Sequence, residues 1–221
     1  MKLFAAILLV VSCHALAVNE GYHFIDLGDG TFDCRNPQGF IGYNPDIFSE
    51  CGSIHNKAFN NLEITQASFA GMKAHGVFVT GGRLDAARFD LSVLTETSFY
   101  SLSMRHAFFK EVRLQDVKIF ETDLSYSFIS RSDFSGVDLY DSVGEALNVF
   151  TTRFTGADLS FGNWNRMSCT DCDMEKANFF KASVRDSLWT ASRFEKAELE
   201  SASFDGAIFY KVLFTGAKMT G

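Results

Sequence analysis

The sequence has little of what would interrupt a continuous β-structure and no apolar segment that could cross a membrane. It contains two prolines, Pro37 and Pro45, and both precede residue 57. Proline lacks a backbone N–H and removes a donor from a sheet, so the proline-free remainder can form hydrogen-bonded ladders along its whole length. The apolar run from Leu3 to Val11 has nine residues, whereas a transmembrane helix needs about 20. We therefore expect no membrane span.

Motifs of catalysis and cofactor binding are also missing. The sequence has no G-x-S-x-G elbow and no glycine-rich phosphate loop. Four of its histidines are scattered without the spacing of a metal site: His23, His55, His75 and His106. The sequence therefore predicts a protein that is not an enzyme and has no catalytic residues, cofactor or metal ion.

What the sequence does have is a repeat of five residues. Apolar side chains, nearly all of them large, occupy every fifth position from Phe59 to Met219, with the single exception of Gly144. A period of five fits neither the 3.6 of a helix nor the 2 of a strand. The position two residues before each of these is mostly small. One large and one small inward residue in every five predict a chain that turns a corner at each pentad and winds around a narrow, filled core.

Individual pentads resemble a known repeat unit. The segments Ala157–Phe161, Ala177–Lys181 and Ala207–Lys211 resemble the A-(D/N)-(L/F)-x-x unit of the pentapeptide-repeat family. The resemblance implies an all-β fold, a right-handed quadrilateral β-helix with four pentads per turn, which would give about eight coils over residues 57–221. This motif is specific for a fold and not for a function.

A turn of twenty residues makes predictions that the sequence itself can support. Residues twenty apart would stack about 4.8 Å apart, which places Gly144 beside Trp164, so that the missing core side chain lies next to the largest one. It also stacks outward charges of alternating sign: Arg113, Asp133, Arg153, Asp173 and Arg193. Other acidic and amide residues lie at the polar position of the repeat, and we interpret them as part of the fold rather than as acid–base pairs: Asp123, Asp138, Asp158, Asn163 and Asn178.

The N-terminal residues 1–17 are typical of a signal peptide. Lys2 is followed by the apolar run and by Ala15-Leu16-Ala17, an A-x-A cleavage site. We expect the mature chain to begin at Val18 in the periplasm or outside the cell. Two alternatives stay open, a buried N-terminal helix and a lipoprotein box with a lipid anchor at Cys13. Residues 18–56 differ from the repeat in composition, and we expect a small N-terminal cap with a hairpin at Asp29-Gly30.

Removal of Cys13 with the leader leaves Cys34, Cys51, Cys169 and Cys172. An even number of cysteines in an oxidising compartment predicts disulfides, although four cysteines allow three connectivities. The expected pairs are Cys34 with Cys51, inside the cap, and Cys169 with Cys172. The C-x-x-C spacing is also that of redox and zinc sites. A redox pair needs an exposed thiolate of lowered pKa, whereas the repeat places Cys169 and Cys172 inside the coil, which favours a structural disulfide or inert core thiols.

Charge separates the possible functions. From Lys57 onward the chain has 18 basic and 21 acidic side chains, without the basic stripe of a nucleic-acid-binding protein. The best-known members of the family resemble B-DNA in shape and negative charge and bind DNA gyrase, which underlies quinolone resistance. A mimic of DNA needs a run of acidic residues, and this coil alternates. We therefore favour an exported non-enzymatic scaffold or binding module, with a DNA-mimicking, gyrase-binding protein as the alternative.

Two apolar surfaces are the candidate sites. At twenty residues per turn, Tyr100, Phe120, Tyr140 and Phe180 form an outward aromatic column, with Ser160 within it. Such a strip marks an interaction surface or, equally, stabilises the ladder through cross-strand pairs. A second, patchier column contains Phe108, Phe128, Asn148, Ser168, Leu188 and Ile208. The last pentads present Phe204, Phe209, Phe214 and Met219 without a following cap, which predicts a homodimer through this end, as in family members that resemble this arrangement.

Overall fold

The computed structural model describes residues 23–26, 32–35, 53–56, 58–63, 65–67 and 69–220. Every regular element in these ranges is a β-strand, and most strands have three residues, because the chain turns a corner after each pentad. The strands are β1 (His23–Asp26), β2 (Phe32–Arg35), β3 (Ser53–His55), β4 (Ala58–Glu63), β5 (Lys73–His75), β6 (Phe78–Arg83), β7 (Val93–Thr95), β8 (Ser98–Tyr100), β9 (Phe108–Lys110), β10 (Arg113–Gln115), β11 (Lys118–Phe120), β12 (Phe128–Ser130), β13 (Asn148–Phe150), β14 (Ser168–Thr170), β15 (Leu188–Thr190) and β16 (Ile208–Tyr210).

Strands from successive coils stack in parallel with a register of twenty residues. Arg113 of β10 pairs with Val93 of β7, and Lys118 of β11 pairs with Ser98 of β8. The strands form three such sheets, in the spatial orders β3-β5-β7-β10, β4-β6-β8-β11 and β9-β12-β13-β14-β15-β16, and isolated bridges continue the same register between them. The result is a β-solenoid of about eight turns. The predicted β-helix is confirmed.

The segment before the repeats is described only in part. β1 and β2 pair antiparallel, and the residues between them, with the predicted hairpin turn at Asp29-Gly30, lie outside the described ranges. β3 already stacks on β5 in the coil register, so the first strand of the solenoid precedes residue 57. The predicted signal peptide, residues 1–17, and Cys13 within it also lie outside the described residues.

Each pentad ends at a corner residue in the left-handed region of the backbone. Every fifth residue from Asn56 to Gly216 has a φ between 48° and 73°. This conformation costs a non-glycine residue about 1–2 kcal/mol, and most corner residues here are not glycine. The coil holds them through backbone hydrogen bonds to the next turn: at the corner residue Phe161, with a φ of 58°, the N–H donates to the carbonyl of Phe180 at 2.9 Å.

Inside the coil, the large residue of each pentad is stacked on its counterparts in the neighbouring turns. The rings of Phe69, Phe89 and Phe109 stack with centroids 5.0 Å apart at both steps. The two tryptophans, Trp164 and Trp189, are fully buried. Because these side chains fill the interior, the interactions open to a ligand are those of the outward side chains.

The compensation between Gly144 and Trp164 is confirmed. A Cβ atom on Gly144 would lie 2.5 Å from Cε3 and from Cζ3 of the Trp164 indole, and one on Gly162 would lie 2.7 Å from its Cε2. The indole N–H donates a hydrogen bond to the Leu159 carbonyl at 2.9 Å. Trp164 therefore occupies the space of two missing side chains as well as its own.

The acidic and amide residues at the polar position of the repeat act on the backbone. Asp158 accepts a hydrogen bond at 3.0 Å from the backbone N–H two residues later, that of Ser160. The same bond is made by Asp123, Asp138, Asn163 and Asn178. The interpretation that these five residues belong to the fold is confirmed.

Buried hydroxyl groups bridge successive turns in the same way. The Ser132 hydroxyl donates to the Phe109 carbonyl at 2.9 Å and accepts from the Val112 N–H at 3.0 Å. Ser92 occupies the position equivalent to Ser132 two turns earlier, and its fully buried hydroxyl has no partner among the described residues. The buried position of the repeat thus tolerates serine best where it can bond to the neighbouring turn.

Candidate functional site

The predicted aromatic column lies on one face of the coil. Tyr100 and Phe120 end strands β8 and β11, which pair directly, and their ring centroids are 4.7 Å apart. Tyr140 and Phe180 follow in later turns, where bridges keep the register. Of these four, Tyr140 has 41% of its surface exposed, and the other three are half-buried.

A fifth aromatic residue, which the sequence argument missed, closes the gap in this column. Ser160 is buried, and the adjacent corner residue Phe161 lies between the flanking rings. The Phe161 centroid is 5.3 Å from that of Tyr140 and 5.6 Å from that of Phe180. Phe161 follows Ser160 directly in the sequence, and an aromatic residue at a corner was the available signal. We call Tyr100, Phe120, Tyr140, Phe161 and Phe180 the aromatic strip.

A lysine covers part of the aromatic strip. The Lys181 ammonium lies 5.0 Å from the ring centroid of Phe180 and 5.5 Å from that of Phe161. Both distances are within the range of a cation–π interaction, which contributes about 0.5–1 kcal/mol at an exposed site. Tyr140, in the middle of the strip, has no such contact with Lys181, and Tyr140 and Phe161 are the two most exposed rings of the strip.

The second aromatic column is less continuous. Phe108, Leu188 and Ile208 are exposed, by 44%, 43% and 62% of their surface. Leu188 and Ile208 are ladder neighbours, but Asn148 and Ser168 separate them from Phe108 and Phe128. Phe128 contacts a residue outside the column, Phe150, at a centroid distance of 5.5 Å. This face therefore presents two separate apolar pairs, whereas the aromatic strip has three successive rings in contact, those of Tyr140, Phe161 and Phe180.

The residues of the predicted dimer end come together in the last described turn. Phe204 and Phe209 have centroids 5.6 Å apart, and Phe209 and Phe214 have centroids 5.2 Å apart. Phe209 and Met219 are 38% and 56% exposed, whereas their counterparts one turn earlier are buried. Association of two chains through this surface stays a prediction.

Cys169 and Cys172 form a disulfide, with their Cα atoms 5.9 Å apart. Both residues are buried, and the Cys172 N–H donates to the Ser192 hydroxyl at 3.2 Å. The bond joins a large and a small inward position across one corner of the coil. This disulfide therefore lies in the coil and not in the N-terminal cap. The predicted pairing of Cys34 with Cys51 concerns side chains outside the described part of the chain.

The alternating outward charges form ion pairs at some of their contacts. Arg153 contacts Asp133 at 2.5 Å, and Arg193 contacts Asp173 at 3.8 Å. Partial burial would raise the pKa of Asp133, but hydrogen bonds from Ser135 and Arg153 outweigh it and lower that pKa. Asp133 is therefore charged at neutral pH. Exposed pairs of this kind contribute about 0–1 kcal/mol each.

The described residues do not bring three metal-ligating side chains together. The His55 and His75 rings, in adjacent turns, are tilted to each other with centroids 6.1 Å apart, and the His106 ring stacks on Tyr126 at 5.3 Å. Within the same residues, no helix has the length and hydropathy of a membrane span.

Comparison with known proteins identifies the repeat. The family model described as pentapeptide repeats matches residues 152–187 and 190–221, with eight copies. No curated protein matches the chain. A trypsin-treated variant of QnrB1, a plasmid-mediated fluoroquinolone resistance protein, has a TM-score of 0.59 at 15% identity, and the match covers 76% of this chain and 91% of that one. At this identity the similarity concerns the fold alone.

The comparison with solved structures also finds a second pentapeptide repeat protein. HetL, a pentapeptide repeat protein involved in heterocyst differentiation regulation from the cyanobacterium Nostoc sp. strain PCC 7120, has 17% identity and a TM-score of 0.34. The match covers 75% of this chain and 90% of HetL.

Proposed function

We propose that this chain, of which residues 152–187 and 190–221 match the pentapeptide-repeat family model, works as a non-enzymatic scaffold that is exported to the periplasm or the cell exterior and binds a protein or cell-surface partner through the aromatic strip. The observation that carries this proposal is the exposed pair Tyr140 and Phe161, which are 41% and 42% exposed, contact each other, and continue into the Phe180 ring. Contiguous exposed apolar surface of this kind is typical of interaction sites, where aromatic anchors contribute most of the affinity.

The charge of the coil argues against the alternative, a DNA mimic that binds gyrase. Asp133 is paired with Arg153, and Arg131 lies within 2.6 Å of Glu111. A duplex mimic needs unpaired negative charge along its length, and these carboxylates are neutralised by their neighbours. The similarity to QnrB1 supports the shared fold and does not favour gyrase as the partner.

Export has its own test. The apolar run and the Ala15-Leu16-Ala17 site support cleavage before Val18, and intact-mass analysis of the protein from its native envelope should show a chain that starts there. A lipidated chain beginning at Cys13 would support export with a membrane anchor. A mature chain that starts at Met1 would refute the export proposal.

Binding through the aromatic strip is tested by capture from the envelope and culture medium of the producing organism. The wild type is compared with a double variant, Tyr140→Asp with Phe161→Asp, and with Phe108→Asp. Aspartate is tolerated in the left-handed corner conformation of Phe161 better than most side chains, so the backbone should keep its geometry. Phe108 is a matched control, because it is an equally exposed aromatic residue, at 44%, on another face.

We expect the same partner to be captured by the wild type and by Phe108→Asp, and to be lost with the double variant. The thermal unfolding midpoints of all three proteins confirm that each is folded. Equal capture by all three proteins would contradict the proposal, and the aromatic strip would then be a device that stabilises the ladder. Loss of capture in the Phe108 variant alone would place the binding surface on the face that carries Phe108.

A further inference from the structure

A groove of about 720 Å³ runs along a corner of the coil about half a turn away from the aromatic strip. Two columns of side chains line it. The corner residues of successive turns form the first column, and the residues two positions later form the second. These eight residues are Leu91, Glu111, Arg131 and Thr151, and Val93, Arg113, Asp133 and Arg153.

The charges in this groove do not balance. Arg131 donates to Glu111 from two nitrogens, at 2.6 and 3.0 Å, and Arg153 contacts Asp133 at 2.5 Å. Arg113 belongs to the second column, where its neighbours in the ladder are Val93 on one side and Asp133 on the other. No carboxylate of the described chain lies within ion-pairing distance of the Arg113 guanidinium. The groove therefore has one cation in excess, and that cation is Arg113.

Apolar surface lies beside this cation. Leu91 is 60% exposed, Val93 is half-buried, and Val112 is buried beneath them. Val93 and Arg113 pair across adjacent turns, so their backbones lie about 4.8 Å apart along the coil axis. The groove thus presents an apolar subsite and a carboxylate-binding subsite one turn apart.

We propose that this groove binds an extended acidic peptide segment of a partner protein, with one Asp or Glu carboxylate on Arg113 and one apolar side chain on Leu91 and Val93. Four turns line the groove, a length of about 14 Å, which matches about four residues of extended chain at about 3.3 Å each. Residues i and i+2 of such a chain point to the same side about 7 Å apart. This exceeds the one-turn spacing of about 4.8 Å between Val93 and Arg113, and the apolar subsite meets it because it extends to Leu91, two residues further from Arg113.

A nucleic acid fits this groove less well than a peptide. Glu111 and Asp133 lie on either side of Arg113 in the groove lining, and they would repel the closely spaced phosphates of a polynucleotide. A single carboxylate meets one guanidinium, which can bind it through two parallel N–H···O bonds. Arg131 and Arg153 are already occupied by their own carboxylates, so the groove selects one negative charge and not a series.

The test is an NMR titration of the full chain that follows the Nε–Hε group of Arg113. The probe is acetyl-Ser-Leu-Thr-Glu-Ser-amide, in which Leu and Glu have the i, i+2 spacing. Two control peptides replace Glu by Gln or Leu by Ser, and inorganic phosphate is titrated separately. Arg113→Gln is compared with Lys118→Gln, because Lys118 is an exposed cation at the same position of the next pentad, on another face.

We expect the Glu peptide to shift the Arg113 signal, and the affinity to fall at least about tenfold in the Arg113→Gln protein and with the Gln peptide, as the loss of a charge-assisted hydrogen bond implies. The Lys118→Gln protein should bind as the wild type does. Asparagine tolerates the left-handed corner conformation, so Leu91→Asn should leave the fold intact. We expect this variant to bind the Glu peptide only as tightly as the wild type binds the control peptide in which Ser replaces Leu.

Several results would overturn the proposal. Equal affinity for the Glu and Gln peptides, wild-type affinity in the Arg113→Gln protein, or no shift at millimolar peptide would each show that the groove does not bind an acidic segment. Displacement of the peptide by inorganic phosphate at equal concentration would show a general anion site instead.

Discussion

The contact between Gly144 and Trp164 allows a quantitative test of how the core is packed. We consider two single substitutions, Gly144→Leu and Trp164→Leu, and their combination. Leucine is the ordinary residue on this face of the coil, where Leu84, Met104 and Leu124 are the buried counterparts in the preceding turns. The double variant would therefore restore the regular pattern of one medium-sized apolar side chain per turn.

Each single substitution should be costly for a different reason. In Gly144→Leu, the new Cβ would lie 2.5 Å from two carbons of the buried indole, and overpacking of this kind costs about 1–3 kcal/mol or more. In Trp164→Leu, the removal of roughly 60 Å³ of side chain at about 24 cal/mol per Å³ gives a cavity cost near 1.5 kcal/mol. The lost bond to the Leu159 carbonyl adds about 1 kcal/mol.

In the double variant the clash disappears, because the indole is gone, and the leucine side chain introduced at position 144 fills much of the cavity. We expect the double variant to be more stable than either single variant, with a coupling free energy of about 2 kcal/mol or more. Urea unfolding followed by far-UV circular dichroism measures all four proteins, and Trp189, the second of the two tryptophans, reports by fluorescence in the Trp164→Leu proteins. Additive losses, or a Gly144→Leu protein as stable as the wild type, would refute this account of the core.

Three further predictions concern individual polar groups and the disulfide of the coil. Ser92→Ala should stabilise the protein by about 1 kcal/mol, because it removes a buried hydroxyl without a partner in the described part of the chain, whereas Ser132→Ala should destabilise it by about 1 kcal/mol; urea unfolding measures both, and equal effects would contradict the distinction. Burial tends to raise the pKa of Asp85, but hydrogen bonds from its neighbours lower it below the unfolded value of about 3.9, so its stabilising effect is present above that value and is lost as the pH falls through the folded-state pKa. In the Asp85→Asn protein, the free energy of unfolding should depend less on pH below about pH 4 than in the wild type. The same pH dependence in both proteins would show that the Asp85 carboxylate does not contribute to acid sensitivity. The disulfide of Cys169 and Cys172 should resist reductant in the folded protein and react only on unfolding, as alkylation and mass spectrometry would show, because both cysteines are buried.

The interior of the coil could be predicted almost completely from the sequence, because each inward position is constrained by its neighbours. The five-residue period defined the large and small positions, and the twenty-residue turn placed Gly144 beside Trp164. The roles of Asp158 and Asn178 followed from the repeat as well. These inferences held because a closely packed interior allows one register, and a shift by one residue would turn every apolar side chain outward.

The outward surface was predicted less well, and Phe161 shows why. The sequence argument assigned one outward residue per pentad to the aromatic column and placed Ser160 there. In the structure the serine is buried, and the corner residue reaches across to contact Tyr140 and Phe180. A corner side chain leaves the coil at an angle to both adjoining faces, so its neighbours depend on rotamer and on the size of the residues around it, which a periodic pattern does not specify.

The difference between inward and outward positions also explains why the repeat pattern predicts the fold of this chain but not its binding sites. Arg113 and Arg153 occupy equivalent positions two turns apart, and both satisfy the repeat equally well, yet of these two only Arg153 has a carboxylate partner among the described residues. The difference lies in whether Glu and Asp on neighbouring turns are already engaged, which is a property of several outward residues together. Specific recognition requires such local imbalance of charge and apolar surface. The sites of this protein are therefore to be sought where the outward pattern departs from regularity, at the aromatic corner residue and at the unpaired arginine.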